Sequence, residues 1–171
     1  PLYWGMVPED KVSDIVEAFR QTLLEKQAFA SGEVGLPYII QTASRYRMND
    51  LICSFITKPE HPSYYAFVKE GLTTLGEYWE ENPRSHCHDM MGHIIEWYYN
   101  GLAGIKPLEP GFKKVLIKPY LPESMSYMKC RYESASGTIQ VILTRKDGKV
   151  EVKTNIAEGI SFEVDRSNLQ E

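Results

Sequence analysis

The chain has 171 residues, enough for one domain or for a small helical part joined to a small β part, and its 43% hydrophobic and 25% charged content is that of an ordinary globular protein. A formal net charge of −4 provides no basic footprint, so nucleic acid is not a partner the composition suggests. No stretch approaches the roughly 20 apolar residues of a membrane helix, and three widely spaced cysteines, Cys53, Cys87 and Cys130, argue against a disulfide framework.

Aromatic content is 12%, with eleven tyrosines. Surfaces rich in aromatics suit ligands with an apolar face and a polar rim, and sugars are the common case. The chain opens at Pro1 without methionine, on a run that reads as the end of a helix. It is therefore expected to be a fragment, which leaves the compartment open, with the periplasm or secretion preferred.

Pro8, Glu9 and Asp10 suit a helix N-terminus. Val12, Ile15, Val16, Phe19, Leu23 and Leu24 recur at helical spacing and predict an amphipathic helix over residues 8–27. Ser31-Gly32-Glu33-Val34-Gly35 breaks it. Pro37 opens a second helix, with Tyr38, Ile39, Ala43 and Tyr46 as its expected inner face. Asp50 to Thr57 reads as a third helix, closed by Lys58-Pro59. Residues 62–69 read as a short helix or extended arm that Gly71 ends. Successive antiparallel helices with short links fit a bundle or a toroid of helical hairpins.

The run from Gly71 to Gly104 gathers three of the four histidines and two of the three tryptophans. A loop, Glu80-Glu81-Asn82-Pro83-Arg84-Ser85, divides it, and helix is expected on either side. From Asp89 to Asn100 the pattern is apolar around most of a helix, which predicts burial. Asp89, His93, Glu96 and Asn100 form one polar stripe, expected to face a water-filled cavity or the exterior.

Beyond Pro107 the grammar changes to short β-rich runs at 113–119, 126–132, 138–145, 149–155 and 160–164. Ile139/Val141/Leu143 and Val150/Val152 alternate with polar residues, the mark of half-buried strands. Asp147-Gly148 is a hairpin turn signal. Five strands with tight turns predict an antiparallel sheet, part of a β-sandwich, leaning on the helices because about sixty residues make a thin core.

Glu77 lies next to Tyr78 and Trp79, where water is restricted, and such a carboxylate can act as a general base; a solvated glutamate is the competing reading. His86, Cys87 and His88 are neighbours whose side chains point apart, which suits tetrahedral zinc poorly. A histidine bonding a ligand hydroxyl and a histidine at a helix start both fit better, and Ser85 and Asp89 compete as caps for that helix. No serine-nucleophile elbow and no glycine-rich phosphate loop is present. Trp79, Tyr64 and Tyr65 are candidate sugar platforms.

Together, Glu70-Gly71-Leu72-Thr73-Thr74-Leu75-Gly76-Glu77-Tyr78-Trp79, Arg84-Ser85-His86-Cys87-His88, Met91-Gly92-His93-Ile94-Ile95-Glu96-Trp97 and Gly101-Leu102-Ala103-Gly104-Ile105 resemble the α-L-rhamnosidases of glycoside hydrolase family 78. Pro110 to Pro119 resembles that family's passage from its (α/α)6 barrel into a C-terminal β-sandwich, and Gly35-Leu36-Pro37-Tyr38 and His61-Pro62-Ser63-Tyr64 match weaker blocks. The resemblance implies an α+β chain, with barrel helices over 1–106 and an antiparallel β-sandwich-type domain over 107–171.

It also implies inverting hydrolysis of terminal α-L-rhamnosides. Glu77 falls on the family's general base and His88 on its substrate-contacting histidine, with Trp79 and Tyr64 lining the site. No cofactor or metal is implied. The implied partners are a rhamnose-containing glycan or glycoside and the preceding segment of the same protein, which would hold the general acid, so this piece alone is expected to be inactive. Gly76 stands where the family has tryptophan, and Cys87 where it has asparagine. These departures keep open a non-catalytic carbohydrate-binding relic and an (α/α)6 hydrolase for another sugar.

Overall fold

The computed structural model describes residues 1–29, 31–80 and 84–169. Of the dividing loop read from the sequence, Glu81, Asn82 and Pro83 lie outside the described residues. The chain falls into two compact units, Pro1–Ile95 and Glu96–Glu171.

The first unit is helical. After a 3₁₀ turn at Glu9–Lys11 come α1 (Val12–Lys26), α2 (Leu36–Arg45), α3 (Asn49–Ile56) and α4 (Tyr64–Lys69). The proline in the first turn of α2 costs no hydrogen bond, because that N–H has no intrahelical acceptor. Ser63 caps α4, its Oγ accepting the Tyr65 N–H at 3.2 Å. Gly71, at φ +80°, ends α4 in the left-handed region, and the Leu72 N–H turns back to the Phe67 carbonyl.

The unit's core comes mainly from α2, α3 and α4: Leu36, Ile40, Ala43, Ile52, Phe55 and Phe67 are at most 2% exposed. Each of these Leu, Ile and Phe side chains contributes roughly 1.5–3 kcal/mol on leaving water. The inner face of α2 is rotated from expectation, since Tyr38 is exposed and its ring packs on Tyr3 and Trp4 instead. In α1 only Leu23 is buried, and Ile15 is 43% exposed. Periodicity identifies the apolar face of a helix but not what covers it. Residues 2–5 form turns rather than the end of a helix.

Two further expectations are corrected. Residues 72–80 are irregular, so no helix precedes the dividing loop. The segment after it is not one α-helix. It is a 3₁₀ turn at Asp89–His93, a single α turn at Ile94–Glu96 and a π-helix at Trp97–Leu102. Met91, Ile94 and Trp97 are buried, but Met90, Ile95 and Tyr98 are exposed, so the segment is amphipathic rather than buried all round.

Among the described residues, the second unit holds six strands in two three-stranded sheets. In one, β3 (Tyr127–Ser134), β4 (Gly137–Lys146) and β5 (Lys149–Ile156) form an antiparallel meander. Its second turn has positive φ at both Asp147 and Gly148, the backbone that suits strand twist at a two-residue hairpin. In the other sheet, β2 (Lys114–Ile117) is central, antiparallel to β1 (Ile105–Pro107) and parallel to β6 (Ser161–Val164). The parallel pair was not expected. It arises because the chain leaves β5 for the other sheet and runs alongside β2 in the same direction.

Val115 and Ile117 from one sheet, and Ile139, Val141 and Leu143 from the other, are fully buried in one shared cluster. This is the interior of a β-sandwich, with inward and outward residues alternating along β4.

Candidate active site

Between α4 and Asp89 the described residues have little regular structure, so their order comes from cross-links. The Glu77 N–H donates to the Ser85 carbonyl at 3.0 Å, and the His88 N–H to the Leu75 carbonyl at 2.9 Å. The Thr74 hydroxyl donates to the His86 carbonyl. Residues 74–77 and 85–88 therefore lie side by side, which brings Glu77 near His88.

The Glu77 side chain is 13% exposed. Arg84 grips it with both arms of its guanidinium: Nε donates to Oε2 at 3.0 Å and Nη2 to Oε1. The Arg84 hydrogen bonds hold the Glu77 carboxyl below its ordinary value, partial desolvation opposes them, and the Arg84 charge, Tyr78 and His88 reinforce them. The ionised form of Glu77 is thus favoured.

The His88 imidazole is held in turn, its Nε2 paired with Glu33 Oε2. Both atoms are sealed from water and neither has a hydrogen-bond partner among the described residues, so the contact is an ion-pair contact rather than a hydrogen bond. His86 and Cys87 are exposed. Neither Ser85 nor Asp89 caps the turn that follows: its N-cap is His88, with no side-chain cap, and Ser85 Oγ accepts the Cys87 N–H at 3.4 Å instead. Among the described residues, no group of three or more His, Cys, Asp or Glu is placed to hold a metal ion.

Trp79 sits in an aromatic cluster. Its ring stacks on Phe67 at 6.0 Å and meets Tyr64 edge-on at 5.0 Å, and its Nε1–H donates to the Ser31 carbonyl at 3.2 Å. Tyr64 is buried and donates its hydroxyl to the Met91 carbonyl at 2.5 Å. Tyr64 thus stands behind Trp79 as a support. Tyr65 is exposed, and Gly76 is buried.

Arg84 and Glu33 were not singled out from the sequence. Arg84 lies inside the motif run, but its role depends on the loop folding back. Glu33 reads only as part of a helix break, and nothing local links it to His88.

The model of the bacterial α-L-rhamnosidase six-hairpin glycosidase domain matches residues 1–102, and that of the bacterial α-L-rhamnosidase C-terminal domain matches residues 104–167. An α-L-rhamnosidase of Alteromonas sp. (strain LOR) is 29% identical over 174 residues, covering 95% of this chain and 19% of its own length. One from Formosa agariphila is 27% identical over 165 residues, covering 91% of this chain and 17% of its own. The solved α-L-rhamnosidase of Dictyoglumus thermophilum superimposes with a TM-score of 0.89 at 26% identity, over 96% of this chain and 19% of that one. The chain thus spans about a fifth of the length of these relatives, in their helical-barrel and C-terminal β regions. Among the described residues no helix is long and apolar enough to cross a membrane. Motif order, fold and both family models agree, and the chain belongs to the bacterial α-L-rhamnosidases, carrying part of their six-hairpin glycosidase domain together with their C-terminal domain.

Proposed function

We propose that this chain is the C-terminal portion of an enzyme that hydrolyses terminal α-L-rhamnosides with inversion, and that Glu77 is its general base. The observation that carries this is the ionised, largely enclosed Glu77 carboxylate held beside His88. In an inverting reaction one carboxylic acid protonates the leaving oxygen. A carboxylate on the opposite face takes a proton from the attacking water, with the two carboxyls about 6.5–9.5 Å apart. Glu77 fills the second role. His88, oriented by Glu33, hydrogen-bonds a sugar hydroxyl, and Trp79, backed by Tyr64, forms the apolar wall. The general acid comes from a preceding segment of the same protein, so residues 1–171 alone do not turn over substrate. We place the division between barrel and sandwich at residues 1–106 and 107–171, at the strand that pairs with β2.

The test is hydrolysis of an aryl α-L-rhamnoside by the full-length protein, with and without Glu77→Gln. Loss of a general base is expected to cost about 10²–10⁴-fold in kcat. Equal turnover in the variant removes Glu77 from this role.

Gly76 favours a second reading. It is buried where the family has a tryptophan wall, which fits a non-catalytic sugar-binding relic or a hydrolase for another sugar. Absence of turnover by the full-length parent, with the glycoside still bound, would select the relic. Turnover of a different glycoside would select the other hydrolase.

A further inference from the structure

The polar stripe read from the sequence ends at a cavity. Glu96 and Asn100 border a hollow of about 340 Å³ within the second unit, with Lys106 at its edge and Tyr99, Phe112 and Tyr132 as its aromatic lining. The three rings form one cluster: Tyr132 meets Tyr99 edge-on at 5.5 Å and lies tilted against Phe112 at 4.9 Å. All three are half-buried, so each keeps some open surface. Tyr99 and Asn100 sit on the π-helix at Trp97–Leu102. Such wide turns are rare and concentrate at functional sites. The Asn100 amide donates to Glu96 Oε1 at 2.9 Å, and Glu96 and Lys106 are both exposed.

We propose that this hollow is a second carbohydrate site, taking one neutral pyranose ring of a glycan. The volume lies at the small end of the range for small-molecule pockets, about 300–1,000 Å³. A pyranose presents a face of C–H groups, which carry slight positive charge and lie well against the negative π-face of an aromatic ring. Its hydroxyl rim needs both donors and acceptors. Lys106 donates, Glu96 accepts, and Asn100 does both. Charges of both signs at the rim suit a neutral polyol; the Glu96 carboxylate would repel an acidic sugar. None of these six residues belongs to the unit that carries Glu77.

The test uses the full-length protein with Glu77→Gln, so that glycosides are retained. Crystals are soaked with methyl α-L-rhamnopyranoside, methyl β-D-galactopyranoside and glucuronic acid, and binding of each is titrated calorimetrically. The expected result is a neutral ring seated against Tyr132 and Phe112. At that class of site, Tyr132→Ala is expected to weaken binding at least tenfold, with the remaining class unchanged. Because Tyr132 is half-buried, the exposed changes Glu96→Gln and Lys106→Met are made in parallel, and each is expected to weaken the same class. The proposal is overturned if the hollow stays empty in every soak or is filled by another stretch of the protein. Preference for glucuronic acid, or indifference to the rim substitutions, also overturns it. Sugar in the hollow, together with no hydrolysis by the unsubstituted full-length parent, would sink the base assignment and leave this site standing; turnover by that parent with an empty hollow would do the reverse.

Discussion

Glu77 and Arg84 form a two-point ion pair, with Nε donating to Oε2 at 3.0 Å and Nη2 donating to Oε1. Paired donors of this kind fix the orientation of a carboxylate as well as its charge. The pair is asymmetric, since the Arg84 side chain is 76% exposed while that of Glu77 is 13% exposed. The cation therefore works from the solvent side, and protonation of Glu77 would loosen part of that grip.

Arg84→Gln tests the electrostatic half of this arrangement. Arg84 is the main influence lowering the Glu77 pKa. Without it the folded-state pKa rises, and partial desolvation, now less opposed, pushes the same way. A general base works only when deprotonated, so the acid limb of kcat/KM must move to higher pH. The measurement is the pH–rate profile of the full-length protein on an aryl α-L-rhamnoside. At pH well above the limb, kcat should change less than it does in Glu77→Gln. An acid limb that stays in place would show that Glu77 does not control it.

The Glu33–His88 pair supports a second prediction. The contacting atoms are sealed from water, so removing the carboxylate leaves an imidazole nitrogen without a partner. Leaving a buried polar group unpaired costs roughly 1–3 kcal/mol, so Glu33→Ala is expected to lower kcat/KM by about tenfold. Because Glu33 acts through the orientation of His88, adding it to His88→Ala should cost little further. Additive losses in the double variant would mean that Glu33 works independently of His88.

The sequence-based reading of the helices and the meander succeeded where local chemistry decides the matter. Pro37 and Gly71 mark helix ends through backbone rules that hold regardless of context, whereas the Ser63 cap of α4 was not read from the sequence. Asp147-Gly148 likewise specifies its hairpin. What was missed depends on distant partners. Ile105–Pro107 is too short to announce itself as a strand and is ordered by β2. The parallel pairing of β2 with β6 has no local signal, nor does the π-helix at Trp97–Leu102. The same division runs through the candidate site. Glu77 and His88 stand out within a motif, whereas Arg84 and Glu33 acquire meaning only when the loop folds back and the helix break reaches His88.

Gly104 yields a prediction about stability, with its own control. It sits at φ +71°, just before β1, and its carbonyl accepts the Lys118 N–H at 2.9 Å. A Cβ added there would overlap the Lys118 carbonyl group and lie 2.5 Å from the Pro119 nitrogen. These are backbone atoms, so no side-chain rotation can relieve the overlap, and moving them would pull β2 away from β1. Gly148 has a similar φ, +76°, but a Cβ there meets nothing within 4 Å. Gly148→Ala should therefore carry only the left-handed backbone penalty, about 1–2 kcal/mol. Gly104→Ala should carry that penalty together with the steric one, and so cost more. The readout is amide hydrogen exchange at Lys118 and Leu116 in the full-length protein. Exchange there should accelerate strongly in Gly104→Ala and little in Gly148→Ala. Equal effects of the two substitutions would show that the chain at 118–119 yields readily, and that the close approach of Gly104 does not hold β1 against β2.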